Sequence, residues 1–324
     1  MLSEFDDDIY NDSVLSFMLG ENVKGRFARV DKSLMTILSQ HNYPEIVSML
    51  IAEASLLAVM IGQAIKLRWK LSLQIRGSGP IKLIAVDYYR SKAEGSSSDI
   101  RAYAKFDYDK ISTVTKSDIH LLGKGFFAIL IDQGAGTEPY QGITPLTGNS
   151  LAECAEKYFE QSEQLPTAFK IIVGQNKISD NSKNGVSWIG GGMMLQQLPT
   201  ENFLEKFRDY NFAKETVNIQ IEKWCRVNIL MNTVEELELV GPYITSSIVL
   251  NRLFHQESLV LFGSQKIKFG CLCSIDKVAR TLSIYSSKDI MTMITENGNV
   301  TADCQFCGHH YVLDPNQLGF EAES

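Results

Sequence analysis

Apolar and polar residues alternate in several short stretches of the first half of the chain. Leu71, Leu73 and Ile75 occupy every second position, as on a strand with one buried face. Residues 77–80, Gly-Ser-Gly-Pro, interrupt this pattern and favour a turn. Further candidate strands follow at residues 81–89, 101–106, 125–132, 167–175 and 185–199. Short strands linked by short turns predict an antiparallel or mixed sheet.

A long apolar stretch, residues 46–65, precedes these strands and has a proline, Pro44, where a first helical turn would lie. The stretch is long enough to span a bilayer. Glu53 lies in its middle, however, and a carboxylate there is costly in lipid. The sequence therefore predicts a buried core helix, with Glu53 paired or hydrogen-bonded, and no membrane association.

A second helix is predicted from residue 150 to residue 161. Ser150 and Glu153 have the spacing of a capping box, and Cys154 lies on the apolar face. Further along, three consecutive glycines at 190–192 indicate a bulge or a close backbone contact. A phosphate-binding loop is the alternative, but the G-x-x-x-x-G-K-[ST] motif is absent from the sequence.

The pattern changes to amphipathic helices after Pro199. Residues 201–210 form the first candidate, and the next one carries its apolar residues at helical spacing. The predicted face consists of Val217, Ile221, Trp224, Cys225 and Asn228. Thr233 and Glu236 have capping-box spacing for another helix, and 246–256 is a further short one. This region is rich in Glu and Lys, so we expect a connector that docks on a partner surface.

The organisation that these patterns predict is an α+β protein, with a mixed sheet and helices at the N-terminus, a helical connector and a small zinc-binding module at the C-terminus. The predicted divisions are an α+β domain (1–195), a metastable helical connector (196–262), a four-cysteine redox-switch module (263–312) and an acidic tail (313–324). A chain of 324 residues is long enough for about two domains.

Charge and composition disfavour several classes of function. The net charge is −7, which disfavours non-specific nucleic-acid binding because phosphate contacts require a basic excess. The N-terminus begins with an acidic run rather than the basic region of a signal peptide, so we expect a cytoplasmic protein. His41, His120 and His255 are scattered and accompany no nucleophile motif, and we expect no enzymatic activity.

Four of the six cysteines form two close pairs near the C-terminus. Cys271 and Cys273 form a C-x-C pair, and Cys304 and Cys307 form a C-x-x-C pair. In a reducing compartment such pairs indicate metal or redox chemistry, and four thiolates complete a tetrahedral zinc shell. One zinc ion per chain is therefore predicted. The shell leaves no open position, which argues against catalysis.

Four other residues, two histidines and two cysteines, could take part in metal or redox chemistry. His309 or His310 could replace one cysteine as a ligand, but we interpret both as polar residues at the start of a strand. Cys154 and Cys225 fall on predicted apolar helix faces, and both are expected to be core residues.

The C-x-C spacing favours a redox switch over a purely structural site. One intervening residue places the thiols of Cys271 and Cys273 within reach of each other. Together with the equally local pair Cys304 and Cys307, they would each be a resolving pair. Oxidation would then release zinc, and a module of this size would lose its fold.

Motifs along nearly the whole chain are similar to those of one family. They include Val23-Lys-Gly-Arg26, Tyr43-Pro44, Glu53-Ala54, Gln74 with Gly77, Gly79 and Pro80, Arg101-Ala-Tyr103, Tyr140-Gln-Gly142, Ser162 to Thr167, Gly191-Gly192 with Gln196 and Pro199, and Leu253-Phe254-His255. With the four cysteines, the chain resembles the bacterial redox-regulated holdase chaperones, the 33 kDa heat-shock protein family. Lys24 and Leu272 depart from the family pattern, and neither is a predicted ligand.

The resemblance implies a redox-regulated, ATP-independent holdase that is an inactive monomer when reduced and zinc-bound. Oxidation would form the disulfides Cys271–Cys273 and Cys304–Cys307, expel zinc, unfold the module and release the connector. The active dimer would bind unfolding client proteins during oxidative and heat stress.

Two alternatives remain open at the level of sequence. A zinc-ribbon protein could bind RNA or a translation partner through Lys266, Lys268, Lys277, Arg280 and Lys288, although Asp276, Asp289, Glu296 and Asp303 offset their charge. An enzyme in the N-terminal domain with a zinc accessory module is the second alternative.

Overall fold

The strands of the protein assemble into one large sheet and one small hairpin. The structure is a computed structural model that describes residues 12–93, 95–111, 119–177, 186–199 and 210–318. The strands are β1 (Ser13–Leu19), β2 (Val23–Val30), β3 (Lys70–Gly77), β4 (Ile81–Tyr89), β5 (Ser98–Phe106), β6 (Gly125–Asp132), β7 (Tyr140–Pro145), β8 (Thr167–Lys177), β9 (Val186–Gln197), β10 (Leu259–Phe269), β11 (Val300–Asp303) and β12 (His310–Leu313).

Helices precede, interrupt and follow these strands. They are α1 (Lys32–Ser39), α2 (Glu45–Ala64), α3 (Tyr108–Ile111), α4 (Leu151–Tyr158), α5 (Tyr210–Asn232), α6 (Glu236–Val240), α7 (Ser246–Phe254), α8 (Ile275–Leu282) and α9 (Ser287–Thr292). Residues 201–209, where a helix was predicted to begin, lie outside the described residues.

The large sheet has the strand order β7-β6-β3-β4-β5-β10-β1-β2-β9-β8. Its neighbours are antiparallel except β10 and β5, which pair in parallel through Ile267–Phe269 and Ser98–Ile100. The first part of β10 pairs with β1 in the antiparallel sense. The predicted mixed sheet and α+β class are therefore confirmed, and β10 joins the two halves of the sheet.

Helix α2 forms the core against one face of this sheet. By length and composition it is apolar enough to cross a membrane, but 83% of its apolar window is buried inside the protein. Leu56, Leu57 and Val59 are fully buried in one cluster with residues of β1 to β6. The helix is thus a core helix, as the sequence predicted.

Helices α5, α6 and α7 cover the opposite face of β1, β2 and β9. A second apolar cluster lies beneath them, in which Phe17 stacks on Phe254 with ring centroids 6.0 Å apart. Val227 and Met231 of α5 and Leu239 of α6 are buried in the same cluster. The predicted connector therefore docks on the sheet through part of its apolar residues, whereas Ile221 of the predicted face is exposed.

The three glycines of β9 allow helices to approach this strand from both faces. An ideal Cβ on Gly190 would lie 2.8 Å from the Leu56 side chain, and one on Gly192 would lie 2.8 Å from Met60, both in α2. On the other face, a Cβ on Gly191 would lie 2.2 Å from the Leu239 carbonyl oxygen in α6. The predicted close contact with the backbone is confirmed, and it occurs on both faces of the strand.

The chain divides into two compact units, whose bounds differ from the divisions that the sequence predicted. The first unit extends to Phe269 without Ser39–His41, so it contains the whole connector and β10, which crosses residue 263. The second unit begins at Gly270. Whether the connector is metastable is a dynamic property, which stays a prediction.

The second unit has a small core of its own. Ile290, Val300, Tyr311, Leu313 and Leu318 are its buried residues. The hairpin β11–β12 supplies three of them, and α8 supplies none that is fully buried. Leu313 and Leu318 of the expected tail thus belong to this core, while residues 319–324 lie outside the described residues.

One predicted helix start is wrong. Glu235, not Thr233, is the N-cap of α6, and its capping box pairs it with Glu238 rather than with Glu236. The Thr233 hydroxyl instead donates to the Leu230 carbonyl oxygen at 2.7 Å. This bond holds the Thr233 side chain against the end of α5, and the N-cap of α6 lies two residues further on.

Candidate metal centre

The two cysteine pairs lie in two short connecting segments of the second unit. Cys271 and Cys273 lie in the extended segment before α8, whose N-cap Ser274 accepts a hydrogen bond from the Lys277 backbone N–H. Cys304 and Cys307 lie in the turn between β11 and β12. The Gly308 N–H donates to the Cys304 carbonyl at 2.8 Å, and Gly308 has a φ of +65°, a conformation that glycine adopts readily.

The four sulfur atoms converge on one point. All four Sγ atoms lie within 4.8 Å of one another. Cys271 Sγ is 3.7 Å from Cys304 Sγ, and Cys273 Sγ is 3.4 Å from Cys307 Sγ. A tetrahedral shell with metal–sulfur bonds of about 2.3 Å has sulfur–sulfur separations of about 3.8 Å. The donor set therefore fits a thiolate-binding metal ion, and sequence reasoning identified each member.

The surroundings of Cys304 and Cys307 disfavour their deprotonated form when no cation is bound. Burial is the main cause that raises the pKa of Cys304 and of Cys307 above that of an ordinary cysteine. Metal ligation requires deprotonated sulfur. A bound cation would therefore offset both the burial and the mutual repulsion of the four thiolates.

Tyr311 contacts the site and was missed by sequence reasoning. Its hydroxyl is hydrogen-bonded to the Cys273 side chain, and this bond is the main cause that raises the Tyr311 pKa. Cys273 and Cys304 pack on the apolar cluster to which Tyr311 belongs. The only available signal was the alternation of β12, which places Tyr311 on the buried face of the hairpin.

The neighbouring histidines have other contacts. The His309 ring lies 4.5 Å from the Tyr311 ring, and His310 Nδ1 lies 2.7 Å from Asp303 Oδ1. Among the described residues, the group that could hold a metal ion consists of the four cysteines. The interpretation of both histidines as non-ligands is consistent with this arrangement.

The two remaining cysteines differ from each other. Cys154 is buried and its thiol donates to the Thr147 carbonyl oxygen at 3.2 Å, so its core assignment is confirmed. The core assignment of Cys225 is wrong, because its side chain is exposed. Helix α5 docks through Val227 and Met231, and this face leaves Cys225 in solvent.

Glu53 has the hydrogen-bonded role that its position in an apolar helix predicted. Its carboxylate accepts the Ala152 N–H at 3.0 Å and a second bond from the Leu151 N–H, at the first turn of α4. Ser150 caps the same helix by accepting the Glu153 N–H. Burial raises the Glu53 pKa and the two backbone bonds lower it, with burial the larger effect.

The sequence profile of the Hsp33 protein family matches residues 12–314. A 33 kDa chaperonin of Caulobacter vibrioides is 32% identical over 96% of this chain and 97% of its own length. One of Serratia proteamaculans is 30% identical over 90% and 88%. The crystal structure of the heat shock protein 33 homolog of Thermotoga maritima has a TM-score of 0.73, covers 97% of this chain and 100% of its own, and is 20% identical.

The structural similarity establishes a shared fold, and the profile and the relatives establish shared descent over nearly the full length. They agree with the resemblance that the motifs indicated. With four convergent cysteines at the C-terminal end, the chain belongs to the Hsp33 protein family of chaperones.

Proposed function

We propose that this protein is a redox-regulated, ATP-independent holdase that holds one zinc ion in its reduced, inactive form. Cys271, Cys273, Cys304 and Cys307 would be the zinc ligands. The observation that carries the proposal is the approach of all four Sγ atoms to within 4.8 Å of one another. No enzymatic activity is proposed.

Zinc is the ion that this donor set favours. Four thiolates in a tetrahedral arrangement are typical of structural zinc sites, whereas hard cations such as magnesium and calcium prefer oxygen ligands. Bound zinc would supply the positive charge that keeps the four sulfurs deprotonated. The small core of the second unit supports a structural role for it, because domains of this size usually need a metal or a disulfide.

Oxidation would remove two electrons from each cysteine pair. A thiolate attacks hydrogen peroxide, the O–O bond breaks, and the sulfur becomes a sulfenic acid while hydroxide leaves. The neighbouring thiol then attacks this sulfur, forms the S–S bond and displaces water. With both pairs oxidised, the ligands are lost, zinc is released and the small unit loses its fold.

The proposed disulfides are Cys271–Cys273 and Cys304–Cys307, as the family resemblance implies. Two sulfur contacts in the structure instead cross between the pairs, Cys271 Sγ with Cys304 Sγ at 3.7 Å and Cys273 Sγ with Cys307 Sγ at 3.4 Å. Crossing contacts are those of a shared metal shell, and unfolding would favour bonds between cysteines that are close in sequence. Peptide mapping of the oxidised protein distinguishes the two pairings.

The apolar face beneath α5, α6 and α7 is the proposed client-binding surface once these helices are released. Phe17, Phe27, Met193 and Leu195 of the sheet are almost fully buried there. Large exposed apolar patches bind other apolar segments. We propose that unfolding clients bind this face, and that the oxidised form is a dimer in the cytoplasm whereas the reduced form is a monomer.

Zinc release and holdase activity after oxidation test the proposal together. Reduced, zinc-loaded protein is treated with peroxide at elevated temperature, zinc is followed with a chromogenic chelator, and light scattering of a heat-aggregating client is recorded. We expect stoichiometric zinc release and a strong gain in suppression of aggregation. Equal suppression before and after oxidation, or zinc retained in full, would contradict the switch.

Cys273→Ser and Cys225→Ser form a matched pair for the ligand assignment. Both replace one sulfur by oxygen, but Cys225 is exposed on α5. Cys273→Ser should lose tightly held zinc and make the C-terminal unit sensitive to protease, whereas Cys225→Ser should retain both properties. Size-exclusion chromatography of each variant before and after oxidation tests the change from monomer to dimer.

A further inference from the structure

A basic cleft lies at one end of the large sheet, within the first unit. Its volume is about 1070 Å³, which is ample for a small-molecule ligand. Three connections form its walls: the segment between α2 and β3, the segment after β4, and the loop between β6 and β7. These walls come together because β3 begins at the end of the sheet where β4 and β6 finish.

Three cations line this cleft. Arg68 and Lys92 are exposed, Arg90 is half-buried, and no ion pair within the described residues engages any of them. The lining carboxylate is Asp132, which accepts the Gly134 N–H at 2.8 Å. The chain as a whole has a net charge of −7. A concentrated positive field on an acidic protein selects anionic ligands.

A further arginine, Arg26, lies near Arg90. The Arg26 guanidinium donates to the Gln63 carbonyl oxygen at 2.8 Å, at the end of α2. Burial, and next the charge of Arg90, lower the pKa of Arg26 to about 10. Arg90 is therefore close enough to repel Arg26, and an anion in the cleft would relieve this repulsion.

The walls of the cleft are braced before any ligand binds. The Gln133 side chain accepts the Arg68 N–H at 2.7 Å and donates to the Lys66 carbonyl at 3.2 Å, which ties two of the three connections together. The Arg90 N–H donates to the Trp69 carbonyl at 3.0 Å and ties in the third. A preformed site loses less entropy when it binds a ligand.

We propose that this cleft binds an anion that carries several phosphate groups. Arginine suits phosphate oxygens because its guanidinium donates in a planar fork, and lysine adds a point charge. Trp69 lies in the same cleft, with Lys92 Nζ 5.3 Å from its ring centroid, so a bound ligand would change the surroundings of this indole. The site is separate from the four cysteines and does not depend on the proposed switch.

Tripolyphosphate is the first probe, used with the reduced full-length protein at low salt. We expect one site per chain by calorimetry, a change in the fluorescence of Trp69 that is lost in Trp69→Phe, and weaker binding as salt is added. ATP is the second probe. Tighter binding of ATP would identify a nucleotide as the source of the phosphates, and equal or weaker binding would identify an inorganic phosphate chain.

Two double variants separate the cleft from general electrostatics. Arg68→Gln with Lys92→Gln removes two cleft cations, and Lys105→Gln with Lys124→Gln removes two exposed lysines elsewhere on the same unit. We expect the first variant to weaken tripolyphosphate binding about tenfold or more and the second to change it less than about twofold. Equal weakening in both variants, or no binding by the native protein at low salt, would overturn the proposal.

Discussion

The Arg29 guanidinium donates a hydrogen bond to the Glu238 carbonyl oxygen at 2.6 Å, although 209 residues separate the two in sequence. A second bond joins Arg29 Nε to the Leu239 carbonyl oxygen at 3.2 Å. Arg29 belongs to β2 and both acceptors belong to α6. The side chain is 3% exposed, so these bonds are protected from water. They fasten the connector to the sheet.

Arg29→Met should therefore loosen the connector while the metal site stays intact. The change leaves two carbonyl oxygens without their donor, and each unsatisfied buried acceptor costs about 1–3 kcal/mol. We expect a lower urea midpoint and measurable suppression of client aggregation by the reduced protein. Arg76→Met, at an exposed position of β3, is the control and should behave as the native protein does. Unchanged stability in Arg29→Met would contradict the fastening role.

Gly191→Ala should displace α6 because the added methyl group would overpack the contact between β9 and this helix. The new Cβ would lie 2.2 Å from the Leu239 carbonyl oxygen and 2.5 Å from its carbonyl carbon, and backbone atoms cannot move aside as a side chain can. Overpacking of this kind costs about 1–3 kcal/mol. Faster proteolysis within α5 to α7 of the reduced variant is the expected readout.

Gly174→Ala is the matched control for this substitution. Gly174 lies on the neighbouring strand β8, and its added Cβ would meet no atom within 4 Å in the described structure. Equal proteolysis of the two alanine variants would show that α6 does not need the glycine.

Tyr311→Phe should make the cysteine cluster more reactive. A hydrogen bond from the hydroxyl withdraws electron density from Cys273 sulfur, and its loss leaves a stronger nucleophile. A bond worth about 0.5–1.5 kcal/mol corresponds to an increase of about two- to twelvefold in the rate of oxidation. The rate is measured as zinc release in peroxide, with the exposed Tyr285→Phe as the control. A rate that stayed the same or fell would contradict this role.

Glu53 should make part of the stability depend on pH. Its pKa is raised above 4.5 in the folded protein, so between 4.5 and the folded pKa the folded state binds more protons than the unfolded state. The free energy of unfolding therefore falls as the pH rises through this window. Glu53→Gln removes the titration and should flatten that part of the profile. Urea unfolding at a series of pH values checks this, with the exposed Glu138→Gln as the control.

The sequence was most informative where the signal is local. The convergence of the four cysteines could be predicted because Cys271 with Cys273, and Cys304 with Cys307, are close in the chain, and such pairs are typical of zinc sites. The same holds for Ser150, whose capping role depends on the residues of one turn. Alternation in β3 and the apolar character of α2 similarly identified a strand of the sheet and its core helix.

Features that depend on distant partners were missed. The register of β11 and β12 decides that Tyr311 contacts the cluster. Cys225 was assigned to the core because α5 has apolar residues on more than one side, and only its docking on the sheet selects Val227 and Met231. The fastening by Arg29 joins segments so far apart that no local pattern could reveal it.

Release of the connector would uncover the surface of β9 around its glycines. Around Gly191, α6 rests on the main chain of the strand, whose amide groups already pair with β2 and β8. Departure of α6 would expose a stretch of strand whose main-chain amides are already hydrogen-bonded within the sheet. The apolar side chains of Met193 and Leu195 lie beside it. Because the strand amides are already paired within the sheet, this surface would offer apolar contacts rather than sequence-specific hydrogen bonds, and it would therefore bind many different unfolding chains with similar affinity.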